Sequence, residues 1–328
     1  MYHFCTLFDS HYLSRGVAMF RSLAKFQSNF HLYIFPFDET SYDILVSMAL
    51  PNVTVIGLSE FENEQLLAIK GSRSKGEYCW TCTPSIIYYC IEHFQMAHCT
   101  YVDADVFFLS DPAVLIDEMG SNSILITEHR YTPTYDLSAT SGIYCVQFIT
   151  FRSNELGLTA LNWWKEKCIE WCYARKEDGK FGDQKYLDDW TSRFPGVHVL
   201  QHLGGGVAPW NVQQYTLKNE GNKLMVRLDQ TLQPVVFYHF HDIKFYKNDK
   251  IDLGSYKLAD EVMARVYYPY LKEILEIEAD LMKRFHFARQ IQRYFYKNEL
   301  MTVVHRVGRK LLGVYNVTSL SNRRPWPI

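Results

Sequence analysis

The chain has 328 residues, 48% of them hydrophobic and 21% charged. Those are the proportions of a globular protein; they exclude a disordered or fibrous chain and suit one large α/β domain with a smaller appendage. The formal charge of −2 is unevenly divided: residues 282–328 hold ten Lys/Arg against one acid, Glu299, so they carry +9 and residues 1–281 carry −11.

No 18-residue apolar run is present, so no spanning helix is expected. The first residues lead straight into a strand-like run with no basic and then apolar leader, so no secretory signal is expected. In chain order, apolar runs near 2–8, 31–36, 53–57, 99–102 and 122–127 predict strands. Amphipathic stretches near 13–26, 39–49, 60–69 and 83–95 predict helices. This alternation predicts a mainly parallel sheet with helices on its faces, and ligands in such sheets bind beyond the carboxyl ends of the strands. Residues 142–151 predict another strand, about 155–175 a long helix, 184 onward a short helix, and 198–201 and 235–240 two further strands. From about Leu258 the pattern is helical. The domain division follows: a large α/β domain over 1–250 and a basic helical region over 251–328.

Two carboxylates interrupt the apolar run Tyr101–Leu109 at Asp103 and Asp105, with only Ala104 between them. A carboxylate pair is costly to bury unpaired, so a cation is expected beside it. A hard divalent ion that also grips a diphosphate fits the position. Strand alternation places His239 and His241 on one face at the end of a strand, which makes either a candidate third ligand. The glycine run Gly204-Gly205-Gly206 reads as backbone able to approach a ligand closely. The eight cysteines read as reduced, mostly buried thiols. A zinc site joining Cys79 and Cys82 to Cys168 and Cys172 is weighed and set aside, since the second pair lacks knuckle spacing.

Four motifs occur in order: Asp103-Ala104-Asp105, Thr140-Ser141-Gly142, Asp183-Gln184, and the run from His202 to Trp210. In this the chain resembles nucleotide-sugar glycosyltransferases of the GT-A fold, and most closely glycosyltransferase family eight, over roughly residues 1–245. The resemblance implies a metal-dependent transfer of sugar from a nucleotide diphosphate sugar, UDP above all, with retention. It implies Mn2+ or Mg2+ on Asp103 and Asp105, with His202 completing the set by motif match. Asp183 would bind sugar hydroxyls and Gln184 would position the sugar. Thr6, Leu7 and Phe8, at the end of the first strand, would meet base and ribose. Ala104, Gly205, Trp210 and Asn211 would lie on the donor side. The family's late phosphate-binding Lys is Ala208 here. Lys244 is a candidate to supply that charge, as are Arg73 and Lys75 ahead of the helix that precedes the aspartates.

In the basic tail, Phe287, Ile291, Tyr294 and Phe295 share one side of a helical wheel and Lys283, Arg289, Arg293 and Lys297 the other. Val303, Val307 and Leu311 stand opposite Arg306, Arg309 and Lys310. Two basic amphipathic helices predict peripheral contact with an anionic membrane through residues 282–312, at its cytoplasmic face, with a glycan or lipid-linked glycan as acceptor. The competing reading is a helical subdomain docked on the core. No nucleic acid is expected, because no stacked aromatics line a basic groove. Two alternatives remain: a sugar-nucleotide nucleotidyltransferase, which would carry a Gly-rich, Arg-containing loop where Phe8-Asp9-Ser10-His11-Tyr12 stands, and a non-catalytic carbohydrate- or membrane-binding protein.

Overall fold

A computed structural model describes residues 1–247, 249–289, 291 and 299–319. Eight strands come first: β1 Tyr2–Phe8, β2 Phe30–Pro36, β3 Val53–Val55, β4 His98–Val102, β5 Val106–Phe108, β6 Ile124–Glu128, β7 Tyr144–Arg152 and β8 Val197–Val199. All but β5 form a seven-stranded sheet in the order β3-β2-β1-β4-β7-β6-β8. Only β7 runs against its neighbours, so the sheet is mixed and mainly parallel, as the strand–helix alternation predicts.

Alternation along β1 buries both faces. Phe4 joins an apolar cluster with the Leu13–Phe26 and Tyr268–Phe285 helices, while Cys5 joins another beneath the Lys75–Phe94 and Glu155–Glu170 helices. The chain beyond 250 therefore shares the first core. The boundary drawn at 250 cuts β14 (Lys250–Asp252), which pairs with β13 (Lys244–Tyr246) on one side and β15 (Val317–Ser319) on the other.

Helix boundaries differ where local polar groups intervene. The helix expected from 83 begins at Lys75, because Ser74 and Glu77 form a reciprocal capping box, and Pro84 sits inside it rather than at its first turn. The stretch 60–69 is two helices, Leu58–Phe61 and Glu64–Lys70, split where Asn63 caps the second. The long helix expected to reach 175 ends at Glu170, and Trp171 turns extended. The meander β9 Thr216–Glu220, β10 Lys223–Leu228 and β11 Thr231–Pro234 carries polar, half-exposed strands with no strong alternation. Of the expected tail helices, the second is Glu299–Leu311; Arg293, Tyr294, Phe295 and Lys297 lie outside the described residues.

The glycine run serves packing. A Cβ on Gly204 would lie 1.8 Å from the carbonyl oxygen of Pro234, one on Gly205 would strike Leu200 and Leu115, and Gly206 holds φ +93°. The Gly204 carbonyl also accepts from the Val236 amide at 2.8 Å. Backbone cannot yield there as a side chain can. Gly204→Ala is expected to destabilise the fold by about 3 kcal/mol, read as a lower denaturant midpoint at unchanged slope.

Candidate active site

The strands' carboxyl ends surround a cavity of about 760 Å3. Asp103 and Asp105 sit in the turn between β4 and β5, where the Val106 amide closes onto the Asp103 carbonyl at 3.1 Å. Neighbouring backbone fixes that turn: the Asp103 amide donates to the Gln147 carbonyl on β7, and the Phe240 amide donates to the Asp105 carbonyl. β5 pairs antiparallel with β12 (Phe237–His239) in a register that sets His239 opposite Val106. That register delivers the imidazole to the carboxylates. His239 Nε2 lies 3.1 Å from Asp105 Oδ1 and 3.7 Å from Asp103 Oδ2, and the three can offer ligand atoms within 4.8 Å of one another.

On its other side His239 Nδ1 donates to Gln147 Oε1 at 2.6 Å, which holds the ring and leaves Nε2 facing the carboxylates. Two carboxylates and one imidazole make a hard, mixed O/N donor set that fits Mn2+ or Mg2+.

Electrostatics follow from burial and mutual proximity. Burial pushes Asp103 up, and the neighbouring Asp105 adds to this. Burial also opposes charge on Asp105, but His239 outweighs it and holds Asp105 below the usual carboxylate range. His239 is raised well above an ordinary histidine: burial works against the imidazolium, and Asp105 overrides it. Without metal, His239 thus keeps its proton near neutrality, and a cation binding there would displace it. Mn2+ affinity is therefore expected to rise with pH through neutrality, with a proton released on binding. Calorimetry in two buffers of different ionisation enthalpy checks both the sign and the proton count.

Asp183 also lines the cavity, buried, and is pushed up to about 7 by desolvation and then by Asp103. Gln184 is beside it, donating its amide to the Ser141 carbonyl at 2.7 Å. Leu7, Phe8, Ala104, Trp210 and His241 line the cavity too. Trp210 packs edge-on against His239 and His241 at 5.3 and 5.6 Å and donates Nε1 to the His129 carbonyl.

Other candidates stand elsewhere. His202 is held in its own turn, its Nδ1 accepting from the Gly204 amide and its backbone N–H donating to Glu118. Thr6 is buried behind the cavity wall, and Gly205 packs in the core. Asn211 is a buried bracket, donating to the His129 and Gly206 carbonyls and accepting from the Ala208 amide. Lys244 is paired with Asp242, and Arg73 caps the Ile169 carbonyl over the Tyr173 ring. Among the described residues, Lys75 is the one Lys or Arg lining the cavity.

Sequence reasoning missed Gln147, Tyr101, whose hydroxyl donates to Asp103 at 2.8 Å, and the wall residues Tyr12, Trp80, Tyr131, Cys145 and Tyr256. Gln147 carried one available signal, a polar residue within an otherwise apolar strand. The cysteines are free, as expected.

No protein-family model matches the chain. Two proteins of Bacillus subtilis (strain 168), the uncharacterized proteins YfnD and YfnF, are each 29% identical to it. The YfnD match covers 82% of this chain and 88% of that protein, and the YfnF match 76% and 84%. Among solved structures, the galactosyltransferase LgtC in complex with donor and acceptor sugar analogs is similar at a TM-score of 0.52 and 12% identity, over 84% of this chain and 95% of that one. The likeness is one of fold: the chain carries the GT-A fold of nucleotide-sugar glycosyltransferases.

Proposed function

We propose that this chain is a metal-dependent glycosyltransferase that moves a sugar from a nucleotide diphosphate sugar, UDP-linked, to a glycan or lipid-linked glycan, with retention of anomeric configuration. The observation that carries the reading is the convergence of Asp103, Asp105 and His239 at the mouth of the sheet, in a cavity that also holds Asp183 and Gln184. Asp103, Asp105 and His239 would hold Mn2+ or Mg2+, whose role when bound is to stabilise charge growing on the leaving diphosphate. Lys75, at the cavity rim, adds positive charge in place of the lysine that Ala208 replaces. Asp183 accepts hydrogen bonds from sugar hydroxyls, and Gln184, anchored on Ser141, positions the ring. The ends of β1 and the following turn, Leu7 to Tyr12, offer an apolar and aromatic wall for the base.

The test is incubation with Mn2+ and a panel of nucleotide sugars, following donor hydrolysis by chromatography and the released anomer by NMR. Turnover of one donor that stops on chelation supports the reading. No donor turned over, together with no binding of UDP, favours a non-catalytic carbohydrate-binding protein.

The same proposal includes peripheral contact with an anionic membrane, at its cytoplasmic face, as the route to a lipid-linked acceptor. No helix among the described residues is long and apolar enough to cross a membrane. The Glu299–Leu311 helix supports surface contact. Its apolar positions Val303, Val307 and Leu311 are 52%, 49% and 83% exposed, whereas Arg309, on the opposite side, is buried against Asp252. A helix docked for packing would bury the apolar arc. The triple change of Val303, Val307 and Leu311 to Ser is expected to weaken binding to phosphatidylserine vesicles about tenfold. Equal co-sedimentation of both proteins would sink the membrane reading and leave the catalytic one intact.

A further inference from the structure

The Lys75–Phe94 helix separates two cavities. Its first turns, with Lys75, Cys79 and Thr83, line the catalytic one. Residues two apart on a helix point roughly 200° apart, so Ser85 faces the other way. It lines a second cavity of about 450 Å3, floored by Phe61, Leu66 and Tyr89 and walled by Tyr88, Glu92 and Lys165. That volume lies within the range of small-ligand clefts, ~300–1,000 Å3.

Ser85 is only 6% exposed, yet its hydroxyl has no hydrogen-bond partner among the described residues. A buried hydroxyl left unsatisfied costs about 1–3 kcal/mol, so it calls for a partner in the cavity it lines.

The charge balance selects the kind of partner. Glu62 is already neutralised by Lys70 and by the Tyr78 hydroxyl, and Glu60 is used in capping the Gly57 amide. That leaves the exposed carboxylate of Glu92 and the ammonium of Lys165, which lies 3.7 Å from the Tyr88 ring centre. An anion would meet the carboxylates of Glu60 and Glu92, and a cation would meet Lys165. A neutral molecule with many hydroxyls can donate to Glu92, accept from Lys165 and Ser85, and lay its apolar faces on Tyr88 and Phe61.

We propose that this second cavity binds a neutral saccharide, on the far side of the helix that walls the catalytic cavity. Its assignment to a sugar draws on the proposed glycan chemistry, while its geometry does not.

Saturation-transfer NMR on the full chain tests it, with lactose, maltose, cellobiose and N,N′-diacetylchitobiose as probes. At least one probe is expected to receive magnetisation in a way that survives Asp105→Ala. Tyr88→Ala and Ser85→Val are expected to reduce that transfer about fivefold or more, with donor hydrolysis retained in both. Glu92→Gln, an exposed position, repeats the test without touching core packing, and thermal melts confirm that each variant is folded. Transfer absent for every probe, or unchanged across all three variants, overturns the proposal, as does tight binding of spermidine in place of sugar. Saccharide binding with no donor turned over would leave this site standing and remove the proposed activity.

Discussion

Asp105→Ala and Asp103→Ala are each expected to cut Mn2+-dependent donor hydrolysis by roughly 10^3-fold, about 4 kcal/mol of transition-state stabilisation. Asp105 is the carboxylate nearer to His239 and the one held ionised without metal, so its loss removes a ligand and the counter-charge of the imidazole. Asp103 is held high chiefly by burial, a cost that removing the carboxylate relieves, while its attraction to His239 is lost with it. The two variants should therefore diverge in stability while agreeing in activity. Asp103→Ala is expected to melt no lower than the parent without metal, and Asp105→Ala lower. Melting curves with and without Mn2+ check this. If both variants fold and keep Mn2+-dependent turnover, the metal reading fails.

The second large effect separates two histidines. His239→Ala is expected to lower turnover by about 10^2- to 10^3-fold and to remove the rise in melting temperature on adding Mn2+. It also leaves two carboxylates facing each other without their imidazolium, a loss of order 3 kcal/mol in the empty protein. His202→Ala should stay within about threefold of the parent, because His202 lies outside the Asp103–Asp105–His239 group and its ring serves a local turn. The opposite ranking would return the third-ligand role to the motif histidine. Assays at saturating Mn2+ are informative: a purely structural role for His239 would not be eased by excess metal, whereas a ligand role shows a raised metal requirement.

Much of this architecture is legible in the residues. β1 and β2 come from short continuous apolar runs, which burial on both faces of a mainly parallel sheet requires, and the Leu13–Phe26 helix from a 3.6-residue period. The elements that depart from the sequence pattern are those where a single polar group overrides it. Ser74 and Glu77 started a helix early, and Asn63 split another. The β9–β11 meander is held by backbone pairing between strands too polar to announce themselves.

For the site, the sequence by itself determined that two carboxylates stand at a strand end, that His239 and His241 share a face, and that the tail is basic and amphipathic, since each follows from local spacing. Tertiary structure alone decided the rest. Which histidine meets the carboxylates depends on the β5–β12 register, and which way its ring is turned depends on Gln147, 92 residues away. Whether the glycine run serves a ligand or packing depends on where Pro234 and Leu200 arrive, and whether Lys244 is available depends on Asp242. Each of these is a contact between groups brought together only by the fold, and local periodicity carries no information about them.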